Sequence, residues 1–245
     1  MADRVIAEAR QLALPFDEPE SFAAADFIEA QSNAQARTAL AAPESWVNRR
    51  LVLWGEAGCG KTNLGRLWVE ARGAIVLEAA RLREPVSPEG RDLLIEDIDI
   101  MAAPLAVLAT LDRALAAQQS VLLTSRVPPA RLAVEPADLA SRLRASLTIQ
   151  IEPAEESLLE ALLLRLAAAR QMTLTAPLRQ FLLTRLPRRP SVLHEAVARL
   201  DRAALALGTA PSRRMAERLL AELADPPNHA GGSTERHETD MASLL

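Results

Sequence analysis

Gly55 to Thr62 reads GEAGCGKT, with three glycines spaced around small residues and a Lys-Thr pair at the end. Glycines at that spacing let a backbone curl tightly enough to aim successive N–H groups at one anion. A lysine adds a mobile positive charge, and the hydroxyl beside it suits a divalent cation. Such a loop holds phosphate oxygens, helped by the partial positive charge of a helix that starts directly after it. The stretch matches the Walker A pattern in full, and the residues expected to line a bound ADP or ATP are Gly55, Glu56, Ala57, Gly58, Cys59, Gly60, Lys61, Thr62 and Asn63. All 28 basic residues except Lys61 are arginine, so the one flexible point charge of the chain stands where a phosphate needs it.

A second group of candidates lies at 93 to 99, LLIEDID, an apolar run that ends in carboxylates. One acid at such a strand end holds the Mg²⁺ water shell and the next polarises the attacking water. Here Glu96, with Thr62, is assigned to Mg²⁺, and Asp97 to the water, while Asp99 is expected to be solvated. Thr124 and Ser125 close another apolar run and are followed by Arg126 and Pro128-Pro129. Polar residues at that edge of a parallel sheet position an attacking water, or else make an ordinary turn; both readings stand. His194, His229 and His237 are too scattered for a metal site and are expected to face solvent.

These residues need strands to carry them. Short runs of Leu, Val and Ile occur at 51–54, 74–77, 93–95, 121–123 and 147–151, the length and composition of buried parallel strands. Helices are expected at 32–42, with Ser32 as N-cap, and at 61–71 and 104–117. After Pro153 the alternation stops, and 155–170, 177–186, 192–207 and 212–223 all carry helical spacing. The expected class is therefore α/β: a parallel-sheet domain over 25–153 followed by a small all-helical domain over 154–225. Residues 1–24 form a tail with one apolar cluster, and 226–245, rich in turn formers and charge, are expected to be disordered.

Composition closes off several classes. Aromatic residues make up 3% of the 245-residue chain and Tyr is absent, which argues against rows of stacked bases. A net charge of −4 argues against indiscriminate binding to nucleic acid. The single cysteine forms no internal disulfide, no apolar stretch reaches bilayer length and no signal peptide is visible, so the expected location is cytoplasmic.

Taken together, the motifs resemble the DnaA family of AAA+ ATPases over about 22–223. DFIEAQSNAQARTAL at 26–40 resembles that family's segment near the adenine pocket, TSRVPPARL at 124–132 its sensor 1 strand, and VLHEAVARLDRAAL at 192–205 its sensor 2 lid helix. DLASRL at 138–143 resembles the segment whose arginine acts as a finger in a neighbouring site, which implies that role for Arg142. With 20 residues after Asp225, no helix-turn-helix is expected, and the pattern is closest to the Hda-like regulatory branch, which inactivates the initiator. QLALPF at 11–16 is similar to the peptide by which that branch binds the replicative sliding clamp. Gln11 would supply an amide, Leu12, Leu14 and Phe16 apolar anchors, and Pro15 stiffness that lowers the entropy cost of docking. The resemblance implies an inhibitor of replication initiation whose partners are the initiator DnaA and the clamp, with a homo-oligomer left open and no sequence-specific DNA binding of its own. Two departures, the Glu96-Asp97 order and Ser191 at the sensor 2 position, imply a weak ATPase of its own. The alternatives are an independent P-loop ATPase of the helicase-loader or transposition-accessory type, or a nucleotide-bound clamp adaptor without catalysis. Replacing Gln11, Leu14 and Phe16 together by Ala is expected to abolish clamp binding in a pull-down while leaving the thermal midpoint unchanged.

Overall fold

The computed structural model describes residues 27–224. The expected strands form as β1 (Arg50–Trp54), β2 (Ile75–Glu78), β3 (Leu93–Glu96), β4 (Val121–Ser125) and β5 (Leu147–Gln150). They make one parallel sheet in the order β2-β3-β4-β1-β5. β1 pairs with β4 on one side and β5 on the other, Leu53 facing Thr124 and Ile149. Such a sheet is covered on both faces, which is why the central strands carry unbroken runs of apolar residues.

The covering helices are α1 (Gln31–Ala41), α2 (Lys61–Arg72), α3 (Pro104–Ala116) and α4 (Ala137–Arg144). On one face Trp46 and Trp68 stack with ring centroids 5.5 Å apart and pack with Leu51, Leu53, Leu64 and Leu94. On the other, α3 and α4 bury Val107, Leu111, Leu139 and Leu143 against Val52, Leu93, Ile95 and Leu123. Close contact of α2 with the sheet is possible because Gly65 faces Leu94, whose Cδ2 would lie 3.1 Å from a Cβ at that position. Asp92 ties the same helix to the sheet: its carboxylate accepts from Arg72 Nε at 2.9 Å and from the Ser120 amide at 2.8 Å.

Four further helices follow, α5 (Glu156–Ala169), α6 (Ala176–Arg185), α7 (Pro190–Leu207) and α8 (Arg213–Ala224). They share a separate apolar core built on Leu159, Leu163, Leu178, Leu182, Leu193, Val197 and Leu200. One expectation needs correction. Ser32 is not the N-cap of α1; the helix starts at Gln31, and the amides of Gln31 and Ser32 donate to the Glu155 carboxylate at 2.8 and 3.3 Å. The cap comes from a residue 123 positions away, at the mouth of α5. Although burial acts against it, the Glu155 carboxyl is held below its ordinary range by hydrogen bonds from Ser32 and Gln31. The apolar cluster 11–16, His229 and His237 lie outside the described residues. Among the described residues no helix is long and apolar enough to cross a membrane.

Candidate functional site

The site forms at the C-terminal edge of the sheet, where the loops leaving β1, β3 and β4 converge. Gly55 to Gly60 join β1 to α2, and Lys61 opens the helix. Lys61 is only 6% exposed, and its Nζ donates to the carbonyls of Gly55 at 2.8 Å and Glu56 at 2.9 Å. These carbonyls satisfy the ammonium, which forms no ion pair among the described residues. Cys59 Sγ lies 3.9 Å from the same nitrogen. Asn63 lies on the first turn of α2, and its buried Oδ1 has no hydrogen-bond partner among the described residues.

Glu96 ends β3 within reach of α2, with the Thr62 hydroxyl among the groups that act on its carboxylate. Glu96 Oε1 is buried and has no hydrogen-bond partner among the described residues. Burial raises the Glu96 pKa; Arg66 opposes the shift, Asp97 and Glu78 add to it, and the Thr62 hydrogen bond opposes it. An orphaned carboxylate oxygen beside a hydroxyl is a donor set that fits Mg²⁺, a cation that takes one or two protein oxygens and otherwise water and phosphate. Asp97 follows in the left-handed region at φ 53°, and its amide donates to Thr124 Oγ1 at 2.9 Å. The fully buried Thr124 thus fixes the loop that carries Asp97.

Ser125, also buried, is occupied locally: its Oγ donates to the Val127 carbonyl at 2.7 Å and accepts from the Val127 amide at 3.2 Å. Asp99, expected in solvent, instead accepts from the Arg126 amide at 3.0 Å, because β3 and β4 are neighbours and the residues after them meet. His194, likewise expected in solvent, is half-buried on α7.

The helical region closes over the loop. The Ser191 amide donates to the Gly58 carbonyl at 3.4 Å, and Arg189 pairs with Glu56 at 3.2 Å. Gly58 has φ +78°, and a Cβ there would come within 1.9 Å of Ser191 Oγ. The seryl side chain at the head of α7 therefore rests directly on the phosphate loop. The sequence places Ser191 at the sensor 2 position, but its contact with Gly58 forms between residues 133 apart and has no local signature. Arg188 pairs instead with Glu156 at 3.5 Å.

Arg142 is not part of this cluster. It lies in the last turn of α4, the helix that leads into the start of β5, while the phosphate loop follows the end of β1. Since β1 and β5 are parallel neighbours, the two lie at opposite edges of the sheet. At about 3.3 Å per residue, a strand of this length separates them by roughly 16 Å.

No protein-family model matches the sequence, and no curated protein matches it. Solved structures do resemble the fold. Domain III of the Thermotoga maritima replication initiation protein DnaA is 18% identical with a TM-score of 0.68, covering 82% of this chain and 96% of that one. A replication initiator DnaA bound to AMPPCP and single-stranded DNA is 16% identical at TM-score 0.57, over 71% of this chain and 62% of the other. The Thermotoga maritima RuvB Holliday junction branch migration motor is 16% identical at TM-score 0.59, over 79% and 69%. The fold is therefore that of AAA+ ATPases such as DnaA and RuvB: a five-stranded parallel sheet followed by a helical region.

Glu96→Gln separates the electrostatic role of Glu96 from its metal role. A carboxyl whose pKa is raised by folding contributes stability at low pH that is lost as pH rises through the folded value. The Gln variant, with no ligand added, is therefore expected to melt higher than wild type at neutral pH, the difference closing as pH falls below the ordinary carboxylate range. The same variant should lose the Mg²⁺-dependent part of the thermal shift with ATP, and Lys61→Ala should lose the shift with both ADP and ATP. For an occupied site that shift is worth about 2.7 kcal/mol at a hundredfold excess over Kd.

Proposed function

We propose that this chain is an Hda-like regulator that holds ADP or ATP with Mg²⁺ in its phosphate loop and stimulates hydrolysis of ATP bound to a DnaA-type initiator. The observation that carries the reading is the separation of Arg142 from the chain's own phosphate loop across the sheet. An arginine at that edge, with its side chain 34% exposed, is remote from its own nucleotide and accessible to another chain's. The likeness to DnaA domain III supports an initiator as the neighbour, since one chain's Arg142 edge against another's phosphate-loop edge is a head-to-tail contact that can form between two chains of one fold.

Within the chain's own site, the loop amides and Lys61 would hold the phosphates, and Thr62 and Glu96 the Mg²⁺. When bound, the cation supplies positive charge between phosphate oxygens. Ser191 and Arg189, docked on the loop, link its occupancy to the position of the helical region. Asp97, whose loop is held by Thr124, would orient the attacking water.

In the neighbour's site, water attacks the γ-phosphorus while the bond to the β–γ bridging oxygen breaks, giving ADP and phosphate. Negative charge builds on the γ oxygens and the leaving oxygen. The guanidinium of Arg142 donates to that charge without forming a covalent bond or changing protonation. An arginine finger of this kind accelerates hydrolysis by about 10³ to 10⁵. The tether to the clamp rests on Gln11, Leu12, Leu14, Pro15 and Phe16, and serves to concentrate the regulator where replication has begun.

A motor-type ATPase acting by its own turnover is the second reading, favoured by the likeness to RuvB. The two separate in one assay: conversion of initiator-bound ATP to ADP with clamp loaded on DNA. Arg142→Ala and Arg142→Lys are both expected to lose the stimulation, because an ammonium does not reproduce a planar fork of donors. Full stimulation by both variants would remove the finger, and no stimulation by the wild-type chain would overturn the regulatory reading in favour of the motor.

A further inference from the structure

Arg142 does not stand alone at its edge of the sheet. Arg50, the first residue of β1, is buried at 4% exposure, and its Nε and Nη1 have no hydrogen-bond partner among the described residues. Asp112, on α3, is ion-paired through Oδ1 with Arg142 Nη1. A strand and two helices thus place two guanidinium groups and one carboxylate at the same edge, with Asp112 and Arg142 in direct contact. Burial disfavours the charged form of Arg50, Arg142 disfavours it further, and Asp112 supports it.

The backbone beneath Arg142 is fixed. Leu139 and Leu143 are fully buried in the core, and Ser146 Oγ donates to the Arg142 carbonyl at 2.9 Å. What remains to be set is the direction of a long side chain with many rotamers. A carboxylate contacting one terminal nitrogen sets it while leaving the other donors of the fork without a protein partner. Arg50 makes the arrangement asymmetric. Its buried charge attracts Asp112 and repels Arg142. At 34% and 45% exposure neither partner of the Arg142–Asp112 pair is buried, so Arg142 can turn its remaining donors to an incoming phosphate at little cost.

We propose that Asp112 is a positioning residue for Arg142, aligning its guanidinium so that it enters the partner's γ-phosphate site already oriented, with Arg50 as the buried charge that keeps the carboxylate in place. The inference rests on the finger role proposed above. It concerns orientation, so it bears on the maximal rate and not on how tightly the two proteins associate.

The test is the stimulated hydrolysis of initiator-bound ATP by the full chain with clamp, measured across a range of regulator concentrations. Asp112→Ala is expected to lower the maximal stimulated rate about tenfold while the half-stimulating concentration stays within about twofold, as for a catalytic group that is present but loosely held. Asp112→Asn keeps the shape and an acceptor and is expected to fall between Ala and wild type; it also replaces the Ala variant should that fail to fold. A general loss of structure would also reduce the thermal shift with ADP, which Asp112→Ala is expected to keep at the wild-type size. If Arg142→Ala abolishes stimulation while Asp112→Ala and Asp112→Asn retain it in full, the positioning role fails and the finger stands. A rise in stimulation on Asp112→Ala would make the pair a parking contact and overturn the proposal. If Arg142→Ala itself stimulates fully, it is the finger reading that fails.

Discussion

All five strands run in the same direction, and nearly every functional feature of this chain follows from that constraint. In a parallel sheet each strand ends at the same edge, and each returning helix leads back to the other. The ends of β1, β3 and β4 therefore bring Lys61, Glu96 and Thr124 into one cluster, although 63 residues separate the first from the last. The opposite edge collects Arg50, Asp112 and Arg142 in the same way. The order with β1 between β4 and β5 sets the Gly55–Gly60 loop at one edge of the sheet and the end of α4 at the other. Fully buried Leu51, Val52 and Leu53 hold β1 in that central place.

Within the phosphate cluster the charges are only partly balanced, and the imbalance is informative. Lys61 is satisfied by two carbonyls, whereas Glu96, beside Thr62, keeps a buried oxygen with no hydrogen-bond partner among the described residues. A cation at that oxygen and an anion in the loop would each resolve a cost that the fold carries by itself. Glu56 and Arg189 form the bridge from this cluster to the helical region, and Ser191 presses on Gly58. Because these contacts involve the loop itself, a nucleotide seated there acts on the helical region through adjoining atoms.

Local patterns carried most of the sequence reading. All five strands and the seven helices expected from apolar spacing lie within about two residues of their observed positions, and GEAGCGKT bridges β1 and α2 as the motif requires. What escaped was everything decided by meeting in space. Ser32 looked like a cap, yet a carboxylate from the far end of the sheet region fills that role. Asp99 lacked any neighbour in sequence that would hold it, and only the pairing of β3 with β4 supplies Arg126. Ser125 reads equally as a water-positioning group or a turn residue; its hydroxyl is spent on Val127. Asp112 was invisible for the same reason, as a carboxylate on a helix surface has no marking until α4 lies beside it.

The central claim is geometric: Arg142 serves another chain's nucleotide and not its own. Its most direct test is single-turnover hydrolysis of ATP bound to the purified chain alone, followed over a dilution series for wild type and Arg142→Ala. If the claim is right, the two proteins hydrolyse their own ATP at the same slow rate once dilution has separated the chains, and any difference appears only as concentration rises. A loss of hydrolysis in Arg142→Ala that persists unchanged at the highest dilution would place the arginine in its own site and contradict the account.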